Sequence, residues 1–147
     1  MSVHLVDANV WLALALSAHV HHAAAREWLA AIDSPASVQF CRQTQIAFLR
    51  LLTTQAVLAP YGNAPLTNAA AWRAYEALLA DDRIALRTDE PAGLGTRWRT
   101  FSRGANASPK LWMDAYLAAF AVSDGYSLVT TDTAFSQFAG LDLLLLG

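Results

Sequence analysis

The sequence lacks several features that would assign it at once to a broad class of protein. It contains a single cysteine, so it can form no intrachain disulfide, and a reducing, cytoplasmic compartment is expected. No apolar run reaches the roughly 18 residues that a membrane-spanning helix needs. The N-terminus has neither the basic start nor the small-residue cleavage site of a signal peptide. We therefore expect a protein that does not enter a membrane.

Charge is also scarce. Charged residues make up 15% and hydrophobic residues 55% of the 147 positions, which predicts one domain, residues 1–147, with a well-buried interior. The formal net charge of -2 provides no overall attraction to nucleic acid. Any binding of nucleic acid must therefore depend on a local basic patch or on bound cations.

Short apolar runs alternate along the chain with longer helical patterns. The predicted strands are 3–6, a strand that ends at Phe40, 83–87, 126–131 and 141–146. The predicted helices are 9–16, 19–33, 43–54, 67–80 with Thr67 as N-cap, 90–102, 111–125 with Gly125 as its stop, and 132–138. This alternation predicts an α/β fold in which helices cover both faces of a mainly parallel sheet of about five short strands.

Asp7 is the one charged residue in "VHLVDANVWLALAL", and no Lys or Arg lies within nine residues of it on either side. A carboxylate that is removed from water costs free energy unless something pairs with it. Asp132 stands in a similar place, directly after a later predicted strand. Ligands of parallel α/β sheets bind beyond the carboxyl ends of the strands, so both residues indicate a site there. Each also precedes a predicted helix, and capping of that helix alone is the alternative explanation.

Asp114 weakens the capping explanation. On its predicted helix it shares one face with Leu117, Ala118 and Ala121, so its carboxylate is expected to face the sheet. Gln45 heads a similar apolar stripe on the third helix. Three carboxylates that converge on one pocket raise each other's pKa, and a hard divalent cation such as Mg²⁺ or Mn²⁺ removes that penalty. We predict that such an ion is the partner of Asp7.

Five segments, in this order and at this spacing, resemble the PIN-domain family. They are "LVDANVWLAL", "HHAAAREWL", "CRQTQIAFLRLLT", "MDAYLAAFA" and "LVTTDTAF…GL". More narrowly, the chain is similar to VapC, the toxin of VapBC toxin–antitoxin pairs, over nearly its whole length. The resemblance implies a PIN-like three-layer α/β/α fold and a Mg²⁺-dependent endoribonuclease that cuts structured RNA such as tRNA or rRNA. It also implies a homodimer that a VapB-like antitoxin neutralises.

The resemblance can be carried over residue by residue. Asp7, Asp114 and Asp132 match the family's catalytic, metal-binding acids, and Asn9 matches an Asn two positions after the first acid. We expect Asn9 to orient an aspartate or a water molecule. Where the family usually has a Glu on the third helix, this chain has Gln45, which keeps an oxygen ligand but removes one negative charge. Weaker divalent binding is expected, and a catalytically weak or inactive PIN-like interaction module is the alternative function.

Other interpretations of the polar residues are open. A phosphoryl-transfer enzyme of the haloacid-dehalogenase type would need a second Asp where this chain has Asn9. Thr130 or Thr131 either orients a carboxylate or a water molecule, or simply ends its strand. His19 and His22 have a spacing that could hold a metal, but no acid or cysteine accompanies them, and we expect surface residues.

Residues 97–110, "RWRTFSRGANASPK", form a basic segment without an acid, interleaved with Trp98 and Phe101. Its basic residues are Arg97, Arg99, Arg103 and Lys110, with Arg42 and Arg50 as further candidates elsewhere. The segment is a candidate RNA-contacting edge with an aromatic side chain for base stacking. The alternative is a solvated helix face whose aromatic residues pack inward. The first two helices, with Trp11 and Trp28, are expected to form the dimer or antitoxin surface.

Overall fold

Five short parallel strands form the sheet at the centre of the computed structural model, which describes residues 2–147. The strands are β1 (His4–Val6), β2 (Val38–Cys41), β3 (Ile84–Arg87), β4 (Ser127–Thr130) and β5 (Asp142–Leu145). Their order is β3–β2–β1–β4–β5, and every neighbouring pair is parallel. The predicted parallel sheet is confirmed, and β1 lies at its centre. The carboxyl ends of β2 and β4 therefore flank the carboxyl end of β1, where Asp7 follows.

Seven α-helices connect the strands. They are α1 (Ala8–Ala15), α2 (His22–Ala30), α3 (Arg42–Leu52), α4 (Gln55–Leu58), α5 (Asn68–Leu79), α6 (Leu94–Ser102) and α7 (Leu111–Asp124). Two 3-10 helices, Ala59–Tyr61 and Thr133–Gln137, complete the set. Within residues 2–147, none of the helices combines the length and the apolar character that crossing a bilayer requires.

Helix ends follow local chemistry where the sequence carries a clear signal. Thr67 is the N-cap of α5, since its Oγ1 accepts a hydrogen bond from the Ala70 N–H at 3.1 Å, and Gly125 ends α7 with a φ of 69°. Helix α6 begins later than the predicted residue 90. Gly93 adopts a φ of 83° in front of it, and a left-handed residue cannot belong to a right-handed helix. The short α4 lacks such a signal, and no sequence pattern predicted it.

Two separate cores lie on the two faces of the sheet. Leu5 and Val6 are both fully buried, yet they belong to different cores, because successive strand residues point to opposite faces. The core on one face packs under α1, α2, α3 and α5, and the core on the other face packs under α6 and α7. This is the predicted three-layer arrangement.

Trp11 belongs to the first core and not to a partner surface. It is completely buried, its Nε1 donates to the Val6 carbonyl at 2.9 Å, and its ring stacks on Phe40 with the centroids 3.8 Å apart. The prediction that Trp11 forms an exposed docking surface is wrong, because α1 lies directly against the sheet. Trp28 is half-buried, with its ring edge-on to His4. Large apolar side chains that do face solvent are Val20, Ile46, Trp72, Trp112, Met113 and Leu145.

Candidate active site

Three aspartates from three different elements meet near the carboxyl edge of the sheet. Asp7 directly follows β1, Asp132 lies two residues beyond the end of β4, and Asp114 lies in the first turn of α7. Asp114 is buried on the same face as Leu117 and Ala118, so the prediction that it faces the sheet is confirmed. The charges of Asp114 and Asp132 both contribute to a raised pKa of Asp7, which places the three carboxylates within electrostatic reach of one another.

Asp7 is held by neutral hydrogen-bond donors. Its Oδ1 accepts from the Ala8 N–H at 2.8 Å, and its Oδ2 accepts from the hydroxyl of Thr130, also at 2.8 Å. Burial is the largest cause of its raised pKa, the two hydrogen bonds oppose that effect, and the two other aspartates add to it. No basic side chain of residues 2–147 forms an ion pair with Asp7. The carboxylate is therefore oriented but not neutralised.

Thr130 joins two of the aspartates. It is fully buried, and the oxygen that donates to Asp7 also accepts a hydrogen bond from the Asp132 N–H at 3.1 Å. Of the two threonines that the sequence left open, Thr130 is the one that orients a carboxylate. Asp7 and Asp132 each cap a following helix through Oδ1, to Ala8 and Ala134. Capping therefore accounts for one oxygen of each carboxylate and leaves the other oxygen for the site.

Lys110 lies against the other two acids. Its Nζ is 2.6 Å from Asp132 Oδ2 and 3.4 Å from Asp114 Oδ2. The Lys110 ammonium is the main reason why the pKa of Asp132 is lowered. The pKa of Asp114 is raised, because burial outweighs the opposing effect of Lys110 and Asp132 adds a like charge. Lys110, predicted as an RNA contact, is thus bonded to the acid cluster. Its i, i+4 spacing from Asp114 was the sequence signal that could have indicated this pair.

Asn9 and Gln45 make no hydrogen bond to the three aspartates. Asn9 is exposed on the first turn of α1. Gln45 is buried at the head of the apolar face of α3, as predicted, and its Oε1 accepts from Nη1 of Arg42 at 2.5 Å. The Arg42 guanidinium thus uses one of the two acceptor positions of the oxygen that Gln45 would offer to a metal. The metal-site roles of both residues stay predictions.

The chemistry of the donor set fits a hard divalent cation. Carboxylate oxygens are the ligands that Mg²⁺ and Mn²⁺ prefer, and the raised pKa values of Asp7 and Asp114 are the penalty that a cation relieves. As the side chains are arranged, no three His, Cys, Asp or Glu residues within 2–147 lie close enough together to hold an ion. His22 is bonded to the Ala13 carbonyl at 2.7 Å, and His19 is half-buried against Tyr61. The aspartates would thus form the site.

The basic segment 97–110 divides into exposed cations and inward-facing aromatic rings. Arg99 and Arg103 are exposed, and neither forms an ion pair within the part of the chain that the structure describes. Arg97 is exposed too, with its Nε donating to the Ser123 hydroxyl at 3.2 Å. The interleaved aromatic rings, Trp98 and Phe101, are half-buried and pack against the second core, which favours the alternative of inward-facing aromatic residues. The RNA-contacting role of the segment stays a prediction.

The exposed aromatic side chain of this region is Trp112, which sequence reasoning missed. It is 60% exposed and lies two residues before Asp114, off the buried face of α7. A cavity of about 400 Å³ beside it is lined by Gln43, Glu90, Trp98, Pro109, Trp112, Met113 and Tyr116. Two neighbouring cavities each share some of these lining residues, and one of them is also lined by Arg42 and the other by Arg103. We call these three cavities together the Trp112 cleft.

Comparison with known proteins gives consistent matches over the whole chain. A PIN domain family profile matches residues 4–141. The chain is 58% identical over 142 residues to Ribonuclease VapC41 of Mycobacterium tuberculosis, with 97% of each chain covered. It is 33% identical over 140 residues to Ribonuclease VapC31 of the same species, covering 93% of this chain and 94% of that protein.

Two solved structures share the fold at low sequence identity. One is VapBC2 from Rickettsia felis bound to a DNA fragment from its promoter, with a TM-score of 0.67, 11% identity and 99% of each chain covered. The other is M. tuberculosis VapC20, described as a Sarcin-Ricin loop cleaving toxin, with a TM-score of 0.62 and 19% identity. The match to VapC20 covers 94% of this chain and 98% of that chain.

Proposed function

The chain belongs to the PIN-domain family, and from this membership we propose that it is the toxin of a type II toxin–antitoxin pair, an endoribonuclease that hydrolyses RNA phosphodiester bonds. The observation that carries the proposal is the cluster of Asp7, Asp114 and Asp132 at the carboxyl edge of the sheet. Burial and the neighbouring aspartates raise the pKa of Asp7 and of Asp114, so their charged forms cost stability, and they make chemical sense as ligands of a catalytic cation.

We assign Asp7, Asp114 and Asp132 as the ligands of Mg²⁺ or Mn²⁺, with Gln45 as a further candidate oxygen ligand. A bound ion of this kind supplies a hydroxide nucleophile near neutral pH and stabilises negative charge on the phosphoryl group. Asn9 is exposed beside Asp7 on the first turn of α1, from where it can orient a water molecule.

The surrounding bonds prepare these carboxylates for their role. Thr130 fixes one oxygen of Asp7 and the Ala8 N–H fixes the other, so the ligand needs little reorganisation. The Ala134 N–H holds Asp132 in the same way through its capping oxygen. The chain therefore supplies two oriented carboxylates from strand ends and a third from a buried helix face.

The proposed substrate is RNA, with tRNA or rRNA as the expected class. The Trp112 cleft offers an exposed indole for base stacking beside the exposed guanidinium of Arg103. Arg99 and Arg97 extend the positive edge along α6. These local charges compensate for the net charge of -2. We propose the cytoplasm as the location, because both RNA classes occur there.

The proposed partners are a VapB-like antitoxin and a second copy of the chain. One of the structural neighbours is VapBC2 bound to a DNA fragment from its promoter. Co-expression with a candidate VapB-like antitoxin, followed by affinity purification and light scattering, tests both partners. A complex that co-purifies and a dimeric mass are expected. A toxin that purifies alone and elutes as a monomer would contradict them.

Cleavage of purified RNA tests the activity. We expect cleavage of tRNA or rRNA by the wild-type protein in Mg²⁺, loss of cleavage in EDTA, and a loss of at least about 100-fold in Asp7→Asn. The matched control is Asp33→Asn, the same substitution at an exposed aspartate that forms no ion pair within residues 2–147. Equal cleavage by wild type and Asp7→Asn would remove the assignment.

Growth provides a second test. Expression without antitoxin should slow growth, and Asp114→Ala should relieve the effect while the protein stays folded by circular dichroism. A folded Asp114→Ala protein that is as toxic as wild type would overturn the active-site assignment.

A further inference from the structure

Lys110 occupies an unusual position for an exposed lysine. It is the single lysine in the sequence and lies directly before α7. Its ammonium reaches two of the three site aspartates, at 2.6 Å from Asp132 and 3.4 Å from Asp114. One ammonium thus links Asp132, which follows β4, to Asp114 on α7, and these two segments come together only when the chain folds.

The charges of the site make this contact consequential. Three carboxylates carry a formal charge of -3, and Lys110 is the one cationic side chain paired with them in the region from residue 2 to residue 147. Asp114 is only 13% exposed at its side chain, and Asp132 is 26% exposed. Without Lys110, the metal-free protein would hold three unneutralised carboxylates in a partly desolvated site, which opposes folding.

The Lys110 ammonium can also move away from the carboxylates of Asp114 and Asp132. Its side chain is 68% exposed, and its two ion pairs are the contacts that hold the ammonium. Exposed ion pairs contribute little net free energy each, so a stronger competitor for the carboxylates can displace it. Mg²⁺ needs oxygen ligands at about 2.0–2.1 Å, so it competes with the ammonium for the same Oδ2 atoms of Asp114 and Asp132.

The geometry points to Lys110 as an internal counter-ion of the acid cluster, which a divalent ion displaces when it binds. Lys110 therefore stabilises the metal-free protein and weakens its affinity for the ion. The ammonium contacts Asp114 and Asp132, the two acids that it would have to release. The inference rests on the proposed function, because it takes these aspartates as the ion's ligands.

The single lysine makes the displacement directly observable. Full-length protein labelled with ¹³C,¹⁵N-lysine contains one labelled side chain, and its Cε and Nζ resonances are followed during a Mg²⁺ titration. We expect these resonances to move towards those of a free lysine and to saturate at the Mg²⁺ concentration that saturates binding in calorimetry. Asp132→Asn, which removes the shorter ion pair, should start closer to the free-lysine position. An unmoved resonance at saturating Mg²⁺ would overturn the inference.

Calorimetry with Mg²⁺ tests the predicted effect on affinity. Lys110→Met keeps a flexible stem without charge, and we expect it to bind Mg²⁺ about three- to tenfold more tightly than wild type, with a lower melting temperature in EDTA. The control is Arg73→Met, which removes an exposed cation of α5 that has no ion pair within residues 2–147. We expect its Mg²⁺ affinity to change less than twofold.

The outcomes separate this inference from the proposed function. Unchanged or weaker Mg²⁺ binding in Lys110→Met overturns the counter-ion role while leaving the metal site in place. Equal tightening in Arg73→Met also overturns it, because the effect would then reflect overall charge. Failure of wild type and Lys110→Met alike to bind Mg²⁺ overturns both the counter-ion role and the metal site.

Discussion

The hydroxyl of Thr130 donates a hydrogen bond to the carboxylate of Asp7 at 2.8 Å, across 123 positions of sequence. The strand register pairs Val6 with Val129. Asp7 and Thr130 are the next residues of the two segments, so they lie side by side. Asp7 therefore obtains its orientation from a neutral neighbour, and its charge remains available for a cation.

Removal of this hydroxyl should cost both stability and activity. Thr130→Val keeps the side-chain shape but removes the hydrogen-bond partner of Asp7 Oδ2 and of the Asp132 N–H, so we expect a loss of about 1–3 kcal/mol in the free energy of unfolding. RNA cleavage should fall as well, since one ligand loses its orientation. Urea unfolding and cleavage assays measure the two effects. Thr131→Val is the control, and an equal loss at Thr131 would contradict a specific role of Thr130.

The raised pKa of Asp7 predicts a characteristic pH dependence in the absence of metal. A carboxyl whose pKa is higher in the folded state stabilises the fold while protonated, and this contribution disappears as the pH rises through the folded-state pKa. In EDTA, Asp7→Asn should therefore be more stable than wild type at pH 7, by about 1 kcal/mol or about 3 °C in melting temperature. The advantage should shrink as the pH falls towards about 4, near the unfolded-state pKa.

Thermal melts of both proteins between pH 4 and pH 8 measure this difference. In Asp7→Asn, the Thr130 hydroxyl can still form a hydrogen bond with the new side-chain amide, because a hydroxyl can accept as well as donate. Asp33→Asn should show no such difference from wild type. A constant gap between Asp7→Asn and wild type at every pH would show that the ionisation of Asp7 is not responsible.

The effect of Gln45→Glu on Mg²⁺ binding should depend on whether Arg42 is present. The new carboxylate would lie against the Arg42 guanidinium, which is 2.5 Å from the present amide oxygen, and would form an ion pair there. We expect the single substitution to change Mg²⁺ affinity less than twofold. In an Arg42→Met background, the same substitution should tighten Mg²⁺ binding several-fold, because the added anion is then free to act on the ion.

Calorimetric Mg²⁺ titration of the four proteins forms a double-mutant cycle. Strong tightening by Gln45→Glu alone would show that Arg42 does not neutralise the new charge. No tightening in either background would place position 45 outside the metal site.

Trp112 should contribute to RNA affinity by stacking. Its exposed indole lies in the Trp112 cleft, and base–aromatic stacking contributes about 1–3 kcal/mol per base. In an Asp114→Asn background that blocks cleavage, we expect Trp112→Ala to weaken RNA binding by about 5- to 150-fold. The affinity of Trp112→Phe should lie between that of Trp112→Ala and that of the protein with Trp112. Fluorescence anisotropy of a labelled single-stranded RNA measures the affinity.

The matched control is Trp72→Ala, which removes another exposed indole from α5, in a different cavity. We expect no more than a twofold change in RNA affinity for this variant. An equal loss for both tryptophans would argue against a specific site at Trp112.

The sequence by itself determined the layered architecture and where the three aspartates lie in it. Alternating strand and helix patterns are local, because side-chain periodicity along a few residues distinguishes the two elements, and they predicted the parallel sheet correctly. The helical period placed Asp114 on the buried face of α7, and position directly after a strand placed Asp7 and Asp132 at its carboxyl edge. Local signals also fixed Thr67 and Gly125 as helix ends.

Only the tertiary structure decided which side chains the acids meet. The choice between Thr130 and Thr131 depends on the register between β1 and β4, which no local pattern encodes. The burial of Trp11 depends likewise on how closely α1 lies against the sheet. Lys110 meets Asp132 only because α7 packs beside the end of β4. Periodicity fixes which way a residue points within its own element, whereas the partner it meets depends on contacts between segments far apart in the chain.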